Sequence, residues 1–256
     1  MEMVSAFICY PHGLDQVVNV DQEGLTARFY APTKKAGWRY RTLFIKEPET
    51  IEWLRALQPT DILWDVGANV GIYSVYAALV TGARVVAIEP GAANYWTLCK
   101  NIELNRLDDK VTTLCMALGD EHKCADLFLS SSESGGAQNA LDRPLDDSGK
   151  AFKPQFRQGM LSIPADVAIE QLGVACPTAM KIDVDGFELP VLRGAQRLFA
   201  NPILRRISLE MNSSDVVLVN TAVTMLEAFG LRKTGEHRSP NVAPNSSIHN
   251  FHFERL

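Results

Sequence analysis

The segment Ile62-Leu63-Trp64-Asp65-Val66-Gly67-Ala68-Asn69-Val70-Gly71 constrains the fold of this chain more than any other. An apolar run ends in an acid, two glycines bracket a tight turn, and a helix-compatible stretch follows. The next apolar run, Val85-Val86-Ala87-Ile88, closes on Glu89. A strand, a glycine turn, a helix start and a second strand ending in one acid is how an α/β sheet holds an adenosine-containing cofactor. Gly67 and Gly71 remove side chains where backbone must approach a ligand or a helix, and the helix start offers free N–H groups. The competing reading is a plain strand-to-helix turn that uses glycine for geometry alone.

The flanking pattern supports the α/β reading. Ile51, Leu54 and Leu57 recur at helical spacing before Pro59 stops the helix. Strands are then expected at 61–66, 83–88 and 111–117, with helices at 70–80 and 92–105 between them. After a polar stretch the alternation resumes with a short strand at 160–163, a helix at 166–172, a strand at 179–184, a helix at 190–199, a strand at 203–211 and a helix at 215–229. Apolar runs separated by helices read as parallel strands covered on both faces, a doubly wound sheet. Segments 231–236 and 248–254 suggest an antiparallel hairpin at the sheet edge. Residues 1–45 read as a lead-in, with a strand or hairpin arm at 25–31, and 46–256 as the main domain. The stretch of about 120–160, with Ser130-Ser131-Ser132-Glu133-Ser134-Gly135-Gly136 inside it, reads as an insertion or lid.

The register of the turn narrows the cofactor. A dinucleotide fingerprint G-x-G-x-x-G needs bare backbone at its middle glycine, and this chain has G-x-N-x-G with Asn69 in that place. Asp65 would be repelled by a diphosphate and suits a cationic sulfonium and an α-amino group. The residues therefore point to S-adenosyl-L-methionine rather than to a nicotinamide dinucleotide. Glu89 is placed to accept hydrogen bonds from both ribose hydroxyls. Ala117 and Leu118, after the third strand, are placed to frame an adenine, although core packing explains that region equally well. Glu49 and Thr50 either close over the cofactor or form an ordinary helix first turn. Asp183 and Asp185 lie at the end of a core strand, the edge where such sheets place ligands. Each is open to three readings: general base for an acceptor hydroxyl, hydrogen-bond acceptor for the cofactor's amino group, or ligand of a divalent metal. A fourth is an Asp-Gly turn paired with Lys181. Glu188 and Glu210 are second-tier candidates, and Tyr73 is the aromatic nearest the turn.

Taken together, Asp65-Val66-Gly67-Ala68-Asn69-Val70-Gly71-Ile72-Tyr73-Ser74, Glu89-Pro90, Lys181-Ile182-Asp183-Val184-Asp185-Gly186-Phe187-Glu188 and Val191-Leu192-Arg193-Gly194-Ala195 resemble the FkbM family of S-adenosylmethionine-dependent methyltransferases. The likeness runs from Lys46-Glu47-Pro48-Glu49-Thr50 to Asn250-Phe251-His252-Phe253. Asp185 stands where the family more often has glutamate. The resemblance implies a class I, Rossmann-like fold of seven strands with the last antiparallel, and methyl transfer to oxygen, as in many members of the family. The expected cofactor contacts are Asp65, Gly67, Ala68, Asn69, Gly71, Glu89, Pro90 and Asp183.

Composition bounds the partners. With 30 acids against 25 bases the net charge is −5, which argues against a surface that tracks nucleic-acid phosphates. The expected acceptor is a small molecule, a sugar or a glycan. Five cysteines without a C-x-x-C pair suggest a reducing, cytoplasmic setting. No apolar run is long enough for a membrane span. The five histidines show no metal spacing, so no metal ligand set is assigned, and a divalent ion at Asp183 and Asp185 stands as a minor alternative. A homodimer is compatible with the sequence. The alternative functions are a NAD-dependent oxidoreductase and a non-catalytic cofactor-binding module.

Overall fold

The computed structural model describes residues 17–145, 149–238 and 247–256. Cys9, His12 and most of the Pro/Asn/Ser-rich turn before the final strand lie outside them. A hairpin of β1 (Val17–Gln22) and β2 (Leu25–Tyr30) leads into α1 (Lys34–Arg41), α2 (Leu43–Lys46) and α3 (Pro48–Arg55). The Thr33 side chain caps α1 by accepting from Ala36 N, and Pro48 opens α3, where its missing N–H costs nothing. The alternating part follows as β3 (Ile62–Val66), α4 (Ile72–Tyr76) with a π turn at Ala77–Thr81, β4 (Arg84–Ile88), α5 (Ala92–Leu104) and β5 (Val111–Leu114).

A second, four-stranded sheet contains β6 (Ala117–Leu118), β7 (Lys123–Leu129), β8 (Ala140–Leu141) and β9 (Phe156–Ile163). The chain then returns through α6 (Ala165–Glu170), β10 (Ala179–Ile182), α7 (Glu188–Arg193), α8 (Gln196–Ala200), β11 (Arg206–Asn212), α9 (Val216–Ala228), β12 (Leu231–Arg238) and β13 (Ile248–Arg255).

The main sheet has seven strands in the order β12-β13-β11-β10-β3-β4-β5. The pairs among β11, β10, β3, β4 and β5 are parallel, whereas β13 is antiparallel to both β11 and β12. The sheet is therefore mixed, with the hairpin at its edge. Period-two alternation divides its side chains between two cores. Leu63, Val85, Val111 and Ala179 join the α3–α5 side, together with Phe29 and Tyr40 of the lead-in. Trp64, Val86, Met180 and Ile182 join the other, with Leu198, Phe199 and Leu226. The lead-in thus packs into the same core as the strands that follow it.

Three sequence expectations shift. The third strand ends at Leu114, because Ala117 and Leu118 leave the main sheet to pair with Ser162 and Ile163 of β9. The helix expected at 190–199 is broken into α7 and α8 at Gly194, where a Cβ would come within 1.9 Å of the Gly119 carbonyl oxygen. The polar stretch expected as an insertion or lid forms most of the small sheet, with Ala125, Leu127, Leu129 and Leu141 as its own apolar cluster.

Candidate functional site

The C-terminal ends of β3, β4 and β10 open into a cleft with a cavity volume of about 130 Å³. Its floor depends on Gly67, which holds φ +81° and stands so close to β10 that a Cβ would lie 1.8 Å from the Asp183 carbonyl oxygen. Asn69 adopts φ +52°, a left-handed conformation that asparagine tolerates. Its N–H donates to Glu89 Oε2 at 2.8 Å, while its side-chain Nδ2 reaches the Gly136 carbonyl at 2.7 Å. Asn94 Nδ2 donates to the same carbonyl, and Asn94 Oδ1 accepts from Gly135 N. The 131–139 loop is thereby tied to the turn, and α1 clasps it from the other side through Arg39 Nε to Gly135 O and Thr33 Oγ1 to Ser134 O.

Glu89 lines the cleft although it is buried. Burial pushes its carboxyl up to about 7 against the opposing N–H donors of Gly91 and Asn69. Pro90 lines the cleft beside it, its carbonyl held by Gln158 Nε2 of β9 at 2.8 Å. Ala117 and Leu118, with Met116, form part of an apolar wall.

The opposite wall is charged. Asp183 Oδ2 accepts from Lys181 Nζ at 2.9 Å. Burial opposes the Asp183 charge, but Lys181 and Lys46 outweigh it and hold the carboxyl below its usual range. Asp185 sits at φ +52°, and its Oδ2 accepts from Gln138 N at 2.6 Å and Asn139 N at 3.3 Å. Burial and the neighbouring Asp183 raise its carboxyl to about 6. Glu210 lines the same cleft with no hydrogen bond or ion pair to its carboxylate among the described residues. Burial, Asp183 and Glu47 push it well above the ordinary glutamate value. Lys46 pairs with the buried Glu47, whose Oε2 also accepts from Tyr73 OH at 2.9 Å.

The structure brings Gly67, Asn69, Glu89, Pro90, Ala117, Leu118, Asp183 and Asp185 to one cleft. The other sequence candidates stand behind or beside it. Asp65 is wholly buried on the sheet face, with Oδ2 accepting from Ser74 Oγ at 2.6 Å. It is the penultimate strand residue, so the pleat turns it onto the face rather than out of the end. Ala68 is buried, and Gly71 starts α4 where a Cβ would strike Leu98 at 2.3 Å. Thr50 donates to Glu47 Oε2, and Glu49 accepts from Asn250 Nδ2 at 3.3 Å, so neither lines the cleft. Glu188 is buried under the Gly186 turn, and His237 lies against His252 with ring centroids 4.7 Å apart and planes tilted by 41°. Sequence reasoning gave no role to Arg39, Lys46 or Asn94, which line the cleft. Their signal was weak, because each lies in an amphipathic helix or at its edge, and only the fold brings it to the strand ends.

Comparison with known proteins agrees with this geometry. The FkbM methyltransferase from Methylobacillus flagellatus KT superposes with a TM-score of 0.51 at 18% identity, over 77% of this chain and 44% of that one. The METTL16 MTase domain gives 0.50 at 15% identity, over 82% and 68%. These likenesses define the fold class, an α/β methyltransferase fold. In sequence, the Methyltransferase FkbM domain matches residues 65–232, and the chain belongs to that family. Hexuronic acid methyltransferase AglP of Haloferax volcanii is 28% identical over 173 residues, 67% of this chain and 65% of the relative. The 31-O-demethyl-FK506 methyltransferase FkbM of Streptomyces tacrolimicus is 26% identical over 202 residues, 70% of this chain and 76% of the relative. No helix among the described residues is long and apolar enough to cross a membrane.

Proposed function

We propose that this protein is an S-adenosyl-L-methionine-dependent methyltransferase that methylates a hydroxyl of a small molecule, sugar or glycan. The observation that carries the reading is the convergence of the Gly67–Asn69 turn, Glu89 and Asp183 on one cleft in a member of the FkbM family. The residues fit that cofactor. Glu89 offers acceptors at the end of β4 for the ribose, Ala117 and Leu118 offer an apolar wall for the adenine, and the ionised Asp183 offers a counter-charge for a cationic group. The names of the relatives, a hexuronic acid methyltransferase and a 31-O-demethyl methyltransferase, support a sugar or small-molecule acceptor.

When bound, the cofactor supplies a methyl group already activated by a sulfonium. The protein's part is to align the acceptor, exclude water and take one proton. Asp183, held as an anion by Lys181, is a weak base for that proton. Asp185, raised to about 6, and Glu210, also raised and without a hydrogen bond to its carboxylate among the described residues, are better suited. A thermal-shift comparison tests the reading. S-adenosylhomocysteine at a hundred times its Kd should stabilise the fold by about 2.7 kcal/mol, and NAD should not. A rise with NAD and none with S-adenosylhomocysteine would overturn it.

A further inference from the structure

Lys181 lies in the middle of the main sheet, and the neighbouring strands set a polar row beside it. Register pairs Asp65 with Lys181, Lys181 with Ser208, and Ser208 with His252. Residues paired in this way present their side chains on one face. All four are buried, Lys181 at 2% exposure. On the same face Leu63, Val85 and Val111 are apolar, so an ammonium among them is costly unless its donors are used.

An ammonium has three donors. One goes to Asp183 Oδ2, and the Tyr73 ring lies 5.0 Å from the nitrogen. The positions on either side of Lys181 each carry an acceptor with no hydrogen-bond partner among the described residues, Asp65 Oδ1 and Ser208 Oγ. His252 ends the row as a neutral ring, because burial, His237 and Arg206 lower it to about 4. The row therefore holds a single cation.

We propose that Lys181 is a positioning residue of the cleft: flanked in register by Asp65 and Ser208, its ammonium holds Asp183 as an oriented carboxylate anion toward the bound cofactor. This rests on the cofactor reading above and deepens it. Lys46 and Arg39 also favour the Asp183 anion through space, but neither donates a hydrogen bond to it. Lys46 of α2 is committed to Glu47, and Arg39 of α1 reaches the Gly135 carbonyl. Glu47, Tyr73, Asp185, Glu188 and Glu210 are acids whose ionised forms would disfavour the Asp183 anion. Among the described residues only Lys181 donates a hydrogen bond to that carboxylate.

Two readouts test this on the full chain. The first is the titration of the Asp183 carboxyl carbon followed by NMR in ligand-free protein, assigned with Asp183→Asn. The second is S-adenosylhomocysteine affinity by calorimetry as a function of pH. In Lys181→Gln, which keeps a donor without the charge, Asp183 should titrate at least about one unit higher, and affinity at neutral pH should fall at least about tenfold. Affinity should fall further as pH drops through the raised value. Lys181→Arg should keep both readouts near wild type. Lys181→Met, if it folds, should exceed the Gln effect, and the Gln and Arg pair decides the matter if it does not. An Asp183 titration unchanged in Lys181→Gln overturns the proposal, as does a shifted titration with unaltered affinity. A wild-type protein that binds no S-adenosylhomocysteine would instead overturn the cofactor reading, and the Asp183 titration would still decide the role of the ammonium.

Discussion

Gly67 and Asp183 meet backbone to backbone: a Cβ on Gly67 would stand 1.8 Å from the Asp183 carbonyl oxygen. The turn after β3 and the end of β10 form the cleft floor only because this position has no side chain. It also holds φ +81°, so alanine there is strained twice, by clash and by conformation. Gly67→Ala should lower stability by about 2–4 kcal/mol and abolish S-adenosylhomocysteine binding. Gly71→Ala should cost less, because its obstacle is the tip of the Leu98 side chain, which can turn aside. Urea denaturation of both variants checks the ranking, and equal midpoints would refute it.

Asn69 does two jobs that substitution can separate. Its backbone N–H serves Glu89, whereas its side chain ties down the Gly136 carbonyl of the 131–139 loop. Glycine accepts φ +52° without strain and keeps the N–H. Asn69→Gly should therefore cost about 1 kcal/mol of global stability, while hydrogen exchange across residues 131–139 accelerates markedly. Unchanged loop protection would mean that Asn94 and the α1 contacts hold the loop alone.

How far the site could be read in advance follows from how local each part is. Gly67, Asn69 and Glu89 stand in one strand-turn-helix-strand unit, and their convergence needs no more than that unit's geometry. Asp65 belongs to the same unit, yet the structure buries it on the sheet face, outside the cleft lining. The pleat, and not the strand's end, decides where it points, and its Ser74 and Lys181 neighbours come from other elements. Arg39, Lys46 and Asn94 reach the cleft only once α1, α2 and α5 have packed on the sheet. Ala117 and Leu118 were placed at the cleft through a strand that the structure ends at Leu114. They arrive instead as the first strand of the small sheet, a pairing with β9 across the polar stretch that local periodicity does not encode.

The cleft acids should divide by role. Asp185 and Glu210 have raised carboxyls, whereas Asp183 is held ionised. Removal of a positioned base costs about 10²–10⁴ in rate with little change in binding. With glucuronic acid as a probe acceptor and labelled methyl donor, Glu210→Gln or Asp185→Asn should lose transfer by that factor while S-adenosylhomocysteine affinity holds within about threefold. Asp183→Asn should weaken the affinity itself. If both Glu210→Gln and Asp185→Asn transfer methyl at the wild-type rate, neither is the base.

Glu188 gives the sharpest stability prediction, because it is buried outside the cleft lining. Its Oε1 accepts from Gly186 N at 2.9 Å, and its Oε2 has no partner among the described residues. Burial raises the carboxyl from an ordinary 4.5 to about 7. The native state then keeps this proton up to about pH 7, whereas the unfolded chain releases it near 4.5. Stability from Glu188 is therefore full below that window, falls as pH rises through it, and stays at its lower value above. Glu188→Gln keeps the acceptor for Gly186 and removes the ionisation. It should be close to wild type near pH 4.5 and more stable by about 1–3 kcal/mol at pH 8, with a flatter stability-pH curve between. Urea melts at four pH values measure this. A variant destabilised equally at every pH would mean that the Glu188 carboxyl is not held protonated by burial.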